Sequence, residues 1–258
     1  MEILNLVLDL DETLIHCIPF TNKLKILIEN IEEHKNFLFK FETCNKKYYV
    51  FYRPKLFEFL KEVSKMFKLY IFTFGSRNYA ITIIEQICKK LGFNPFIKII
   101  CREDFNGRPY KTLTVNMNYK INYNNIINIS KITNNLDIHE NNTIIIDDNI
   151  SMWPYHYRNV INICPFLGPR DNFFEGDNEL LVTLSNLKYA LNFYNVNSSF
   201  NAKKIVDIIN RISVNFKNEE FVEYENNIVD IDTDSEVEEL ELELKQQKKL
   251  NNSTIIII

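Results

Sequence analysis

The chain has 258 residues, 46% hydrophobic and 25% charged, with a formal net charge of -4. Such proportions exclude a disordered, collagen-like or membrane-embedded chain and suffice to bury a core as one domain with a tail. Residues 1–217 carry 27 Lys and Arg against 22 Asp and Glu, whereas residues 218–258 carry 3 against 12, so a mildly basic body precedes a strongly acidic tail. We read residues 1–195 as one α/β domain, 196–217 as a helical extension, and 218–258 as a tail, solvated and in part helical near Ser235 to Lys249. Cys17, Cys44, Cys88, Cys101 and Cys164 are odd in number and scattered, which excludes a disulfide scaffold or zinc cluster and points to a reducing compartment, cytoplasmic or nuclear. No run of about 18 apolar residues is present, and no membrane association is expected.

Ile3 to Leu8 reads as a short buried strand of a parallel sheet. Strand-like pieces follow at Leu24 to Ile28, Phe37 to Phe41 and Tyr48 to Phe51, parted by polar turns. They predict a small antiparallel insertion after the first strand. Phe57, Leu60, Val63 and Phe67 recur at helical spacing. Leu69 to Phe74 is a second buried strand, and Tyr79 to Leu91 a helix stopped by Gly92. Phe96 to Cys101 is a third strand. Residues 104–128 read as a hairpin or long loop, and Ser130 to Leu136 as a short helix. Thr143 to Ile146 and Val160 to Ile163 are further strands, and Glu179 to Phe193 is a helix. Strands alternating with helices predict a Rossmann-like parallel sheet flanked by helices.

The chemistry gathers at strand ends. Asp9 and Asp11 close the first strand two residues apart, Thr73 closes the second, and Asp147 and Asp148 close the fourth. Open α/β sheets place ligands at the carboxyl ends of their strands. Carboxylates that close are costly unless a cation or proton lies between them. A divalent-ion site with one attacking carboxylate fits this pattern. An ordinary strand-to-turn boundary is the plain alternative. An EF-hand loop is excluded because Thr13 and Leu14 stand where it needs further ligands and Gly.

Taken in order, these residues resemble a known family. Asp9-Leu10-Asp11-Glu12-Thr13-Leu14, Arg53-Pro54, Phe72-Thr73-Phe74-Gly75-Ser76-Arg77-Asn78-Tyr79-Ala80, and Ile146-Asp147-Asp148 with Trp153-Pro154 are similar to the FCP/SCP phosphatases of the haloacid dehalogenase superfamily. The Asp-Asp pair with its Trp is closer to the FCP type, which acts on the C-terminal repeats of RNA polymerase II. The SCP type has Asp-Asn there. The resemblance covers roughly residues 1–190 and implies a Mg²⁺-dependent phosphoserine/phosphothreonine protein phosphatase. It implies Asp9 as nucleophile and Asp11 as general acid then base, its carbonyl helping to bind Mg²⁺. Thr73 would meet a phosphoryl oxygen. Asp148, with Asp9, would ligate the metal, and Asp147 would orient a Lys or the metal's waters. Arg53 would orient the site or hold a substrate phosphate.

The family also places a Lys at the start of a helix shortly before the acidic pair. Lys131 lies 16 residues before Asp147 and takes that role, whereas Lys111, in Arg108-Pro109-Tyr110-Lys111, is read as an exposed charge. Two departures stand out: Ile132 follows Lys131 where the family has Asp, and Cys88 lies near another family Asp. Trp153 reads as a packing residue, and Ser76, Arg77 and Asn78 as capping the next helix. The expected partner is a phosphorylated protein or peptide, with polymerase repeats one possibility and no direct nucleic-acid contact. A superfamily phosphatase for a small-molecule or polynucleotide substrate, and a catalytically weakened phosphopeptide reader, remain open.

Overall fold

A strand buried on both faces needs neighbours on both edges, and Asn5–Leu8 (β1) is buried throughout. In the computed structural model β1 is the middle of a five-stranded sheet. Lys68–Phe72 (β5) and Thr143–Asp147 (β7) flank it, and Phe96–Ile100 (β6) and Val160–Asn162 (β8) are outermost. All four pairings are parallel. Leu8 lies beside both Ile71 and Ile146, so the three central strands finish level. The structure describes residues 3–20, 38–43, 46–113, 138–168, 176–196 and 201–219.

One face of the sheet is covered by helices. Leu56–Met66 (α1) buries Leu56, Phe59, Leu60 and Val63, the i, i+3, i+4, i+7 stripe of an amphipathic helix. Arg77–Leu91 (α2) buries Ala80, Ile83, Ile84, Ile87 and Leu91. It ends at Gly92, whose φ of 81° suits glycine and whose N–H reaches the Cys88 carbonyl at 2.9 Å. Glu179–Val196 (α3) and Ala202–Glu219 (α4) add Leu180, Leu184, Ile205, Val206 and Ile209 to the same core. On the other face Val7, Tyr70, Phe72 and Ile145 pack with Phe105, Leu113, Ile138 and Trp153. Among the described residues that cover is made of loops and short 3-10 turns.

The antiparallel insertion is present: the pieces expected at Phe37 to Phe41 and Tyr48 to Phe51 correspond to strands, and a strand not expected from sequence joins them. Ile15–Pro19 (β2), Leu38–Thr43 (β3) and Lys46–Tyr52 (β4) form a sheet in the order β2-β4-β3. The piece expected at Leu24 to Ile28 lies outside the described residues. β2 starts directly after the acidic turn and ends in Pro19, which reads as a strand breaker. Pro19 is tolerated because β2 is an edge strand. Within 104–128, the described part contains the end of a 3-10 turn, Arg102–Phe105, and irregular chain to Leu113. Ser130 to Leu136 and the acidic tail from Glu220 onward lie outside the described residues. No helix of the described residues is long and apolar enough to cross a membrane.

Leu60 is fully buried between helix and sheet. Leu60→Ala is expected to lower unfolding free energy by about 2–5 kcal/mol, read from urea denaturation.

Candidate active site

The level ends of β1, β5 and β7 bring the acidic residues together. Asp9, Asp147 and Asp148 each offer a carboxylate oxygen, and these atoms all lie within 4.8 Å of one another. Asp9 follows β1, and its N–H bonds to the Ile146 carbonyl at 3.0 Å, tying it to β7. The Thr13 hydroxyl lies 3.1 Å from Asp148 Oδ1 and 3.5 Å from Asp9 Oδ2, and accepts from the Asp148 N–H at 3.1 Å. Glu12, with φ 61°, makes the turn that returns Thr13 to the cluster. Left-handed backbone at a non-glycine residue stores strain of about 1–3 kcal/mol, and such strain gathers at functional sites.

Among the described residues, the cation of this cluster is Lys111. Its Nζ lies 2.5 Å from Asp9 Oδ1 and 2.6 Å from Asp147 Oδ2, and the residue is only 3% exposed. The reading of Lys111 as an exposed charge is therefore corrected, and Lys131 lies outside the described residues. The exposed reading rests on residue type, which does not tell a buried lysine from a solvated one. Lys111 sits on irregular chain, fixed by its N–H to the Met152 carbonyl at 2.7 Å. Trp153 is buried, as a packing residue would be, and it also donates from Nε1 to Asp147 Oδ2 at 2.8 Å. With the Asn149 N–H on Oδ1 at 2.9 Å, Asp147 accepts three hydrogen bonds and is disposed to hold Lys111.

Asp11 occupies a separate position beside the cluster. Its Oδ1 accepts from the Tyr79 hydroxyl, and Thr73 Oγ1 lies 3.5 Å from its Oδ2. The Thr73 hydroxyl in turn accepts the Gly75 N–H at 2.9 Å, which orients it. Sequence reasoning gives Tyr79 no role, although it stands in the Thr73 motif. Its place three residues into α2, the helix that opens after the Thr73 turn, is the signal that could have found it.

Arg53 stands outside the carboxylate cluster. It is 1% exposed and bonds Asp177 through Nε at 3.0 and 3.1 Å, the Thr13 carbonyl at 3.1 Å and the Cys164 carbonyl at 2.8 Å. All three of its nitrogens meet protein groups, so the geometry favours the orienting role over phosphate holding. Ser76 is the N-cap of α2 but makes no side-chain cap bond. The Glu103 carboxylate accepts the Arg77 N–H instead, at 3.0 and 3.1 Å, and the Arg77 side chain pairs with Asp104 at 2.6 Å. Cys88 lies within 3.5 Å of Asn94 at the far end of α2.

Electrostatics follow from this crowding. Burial pushes the Asp9 carboxyl up to about 8, with Lys111 opposing and Asp147 and Asp11 reinforcing. Burial likewise raises Asp11, against the Tyr79 hydrogen bond, and raises Asp148, with Asp147 adding. Burial opposes the charge on Lys111, yet Asp9 and Asp147 outweigh it and hold the ammonium above its ordinary range. Among the described residues, one ammonium meets these acids and does not balance them. The surplus negative charge on hard oxygen donors is what a divalent cation would neutralise, so the residues present fit Mg²⁺. Asp9 and Asp148 are the better-disposed ligands, because Asp147 is already engaged by three donors.

A folded pKa near 8 against 3.8 means that the native state binds a proton the unfolded chain releases. Stability from this group is present at low pH and is lost as pH rises through that window. Without divalent ions, wild type is expected to lose thermal stability as pH rises from about 4 to 8, and Asp9→Asn, which lacks the titrating carboxyl, to lose less of it over the same range. Thermal melts of the two proteins across that range read the difference in slope.

Comparison with known proteins adds a family. Residues 4–197 match the sequence profile of the NLI interacting factor-like phosphatases. RNA polymerase II C-terminal domain phosphatase-like 4 of Arabidopsis thaliana is 31% identical over 172 residues, covering 62% of this chain and 33% of that protein. An RNA polymerase II C-terminal domain phosphatase of Encephalitozoon cuniculi is 29% identical over 162 residues, covering 62% and 31%. Putative CTD phosphatase-like protein 355R of Invertebrate iridescent virus 6 is 29% identical over 195 residues, covering 73% and 97%. The chain thus spans about one third of the first two relatives and nearly all of the viral one. The fission yeast RNA polymerase II CTD phosphatase Fcp1 bound to beryllium fluoride superposes with a TM-score of 0.47 at 17% identity, over 94% of this chain and 62% of that one. Because the profile match runs through most of the chain, including every strand of both sheets, this protein belongs to the NLI interacting factor-like phosphatase family, within the haloacid dehalogenase superfamily.

Proposed function

We propose that the chain is a Mg²⁺-dependent phosphatase of phosphoserine and phosphothreonine in proteins, working through an aspartyl-phosphate. The observation that carries this reading is Asp9 at the end of the central strand, with Lys111 on one side and the Asp11, Thr73 and Tyr79 group nearby. Asp9 attacks phosphorus in line as the carboxylate, which burial disfavours and the Lys111 ammonium favours, and the bond to the substrate oxygen breaks. Asp11, whose raised pKa favours a proton at rest, passes that proton to the leaving alkoxide. Asp11 then takes a proton from water as the water oxygen attacks the phosphorus and frees Asp9. Lys111 and the Thr73 hydroxyl offset charge on the transferring group, since phosphoryl transfer is mostly positioning and electrostatics. Asp9 and Asp148 would hold the Mg²⁺, which when bound neutralises phosphoryl and carboxylate charge.

The names of the relatives support an extended phosphopeptide as substrate, polymerase C-terminal repeats included. They also support a nuclear setting. Small-molecule and polynucleotide phosphates are competing substrates for the same chemistry. Cys88, which would favour a weakened reader, meets Asn94 at the helix end.

Hydrolysis of a generic aryl phosphate with and without Mg²⁺, beside a panel of phosphopeptides, sugar phosphates and nucleotide ends, tests the reading. Asp9→Asn and Asp11→Asn should each abolish turnover while remaining folded. Beryllofluoride should raise the melting temperature of wild type and not of Asp9→Asn. A fully active, folded Asp9→Asn would overturn the nucleophile. Lys111→Ala should lower kcat by about 10²–10³-fold, as loss of one preorganised charge-stabilising group does, and by far more than Lys131→Ala. The opposite ranking would return the role to Lys131.

A further inference from the structure

Asp9 and Asp147 are held by strand ladders, but Lys111 is not. It lies on irregular chain, and a lysine side chain has four rotatable carbons between backbone and charge. What holds that backbone in place therefore decides where the ammonium sits. One anchor is the Lys111 N–H to the Met152 carbonyl. The next residue supplies a second: Thr112 Oγ1 lies 3.2 Å from His156 Nε2. Both side chains are buried, at 4% and 7% exposure.

The imidazole is itself fixed at several points. Its Nδ1 faces Glu140 Oε1 at 3.2 Å. Its backbone N–H bonds the Trp153 carbonyl at 3.0 Å, and its carbonyl accepts the Asn159 N–H at 2.9 Å. Glu140 is paired on its other oxygen with Lys203, in the first turn of α4. The Glu140 turn is joined to α4 again by the Ala202 N–H to the Asn141 carbonyl at 3.0 Å. Lys203 lies beyond the residues matched by the family profile. With the proton on Nδ1, toward the Glu140 carboxylate, Nε2 is left to accept from the Thr112 hydroxyl. Burial keeps this imidazole below its ordinary pKa, with Glu140 opposing, consistent with that neutral tautomer.

Resting on the reading of Lys111 as the cation facing the phosphoryl group, we propose that His156, oriented by Glu140, is a positioning residue that sets Lys111 through the Thr112 hydroxyl. The contact touches no reacting atom. It governs how closely the ammonium matches the charge that develops during transfer, a property of the transition state rather than of substrate binding. Its loss should fall on kcat and leave KM in place.

Steady-state kinetics on an aryl phosphate with Mg²⁺, beside thermal melts, test this. Thr112→Val removes the hydroxyl at nearly constant shape, and His156→Leu removes both ring nitrogens. Each is expected to lower kcat about tenfold, within the range that small misplacements cost, with KM unchanged. The double variant should lose no more than either single one. Thr112→Ser and His156→Gln, which retain polar groups able to meet, should recover most of the loss. An indifferent kcat in a folded Thr112→Val would overturn the role, as would a loss that Thr112→Ser fails to recover. Loss of cooperative unfolding in both Thr112→Val and His156→Leu would overturn it too, by making the contact one of stability. A wild type inert toward every phosphate ester removes the phosphatase reading and this role together. An active wild type with an indifferent Thr112→Val removes the role alone.

Discussion

The Lys111 ammonium between Asp9 and Asp147 is the contact on which the rest of the site depends. Removing one partner of a buried, hydrogen-bonded ion pair leaves an uncompensated charge, which is far costlier than never burying the pair. Here three carboxylate oxygens converge within 4.8 Å and, among the described residues, a single buried ammonium meets two of the three residues. The site is balanced only in part, and the excess appears as carboxyls held above their ordinary range. That excess costs stability in the absence of a cation, and it is also what makes the pocket suited to one.

The sheet makes such crowding possible. β1 is central, and its neighbours β5 and β7 run parallel to it in matched register. Parallel strands deliver their ends to the same edge, so three stretches far apart in sequence contribute Asp9, Thr73 and Asp147 to one place. The backbone ladder bears the strain of holding like charges together. Groups off the ladder need other anchors. Arg53 ties the Thr13 turn to Asp177 and Cys164. Met152 and His156 hold the Lys111 segment.

The residues that tune the site carry two duties each. Trp153 fills the loop-covered face of the sheet with Phe72 and also donates to Asp147. Tyr79 belongs to the first turn of α2, packs against the core and donates to Asp11. A reading of sequence by residue type assigns such side chains to packing, because burial and hydrophobic area dominate their statistics. Their polar ends become visible only when a partner is placed opposite.

The sequence alone determined the alternation of buried strands and amphipathic helices, the helix stop at Gly92, and the acidic strand ends at Asp9, Asp11, Asp147 and Asp148. Each of these is local: periodicity, a φ that suits glycine, or charge adjoining an apolar run. It also carried the ordered motifs through which the family could be named. The tertiary structure alone decided that Lys111 meets Asp9 across 102 residues, that Arg53 is engaged by protein, that Glu103 rather than Ser76 caps α2, and that β2 forms the edge of the insertion. Those outcomes depend on which segments the sheet brings side by side. A buried lysine and an exposed one look alike in sequence, and only packing against its partners distinguishes them.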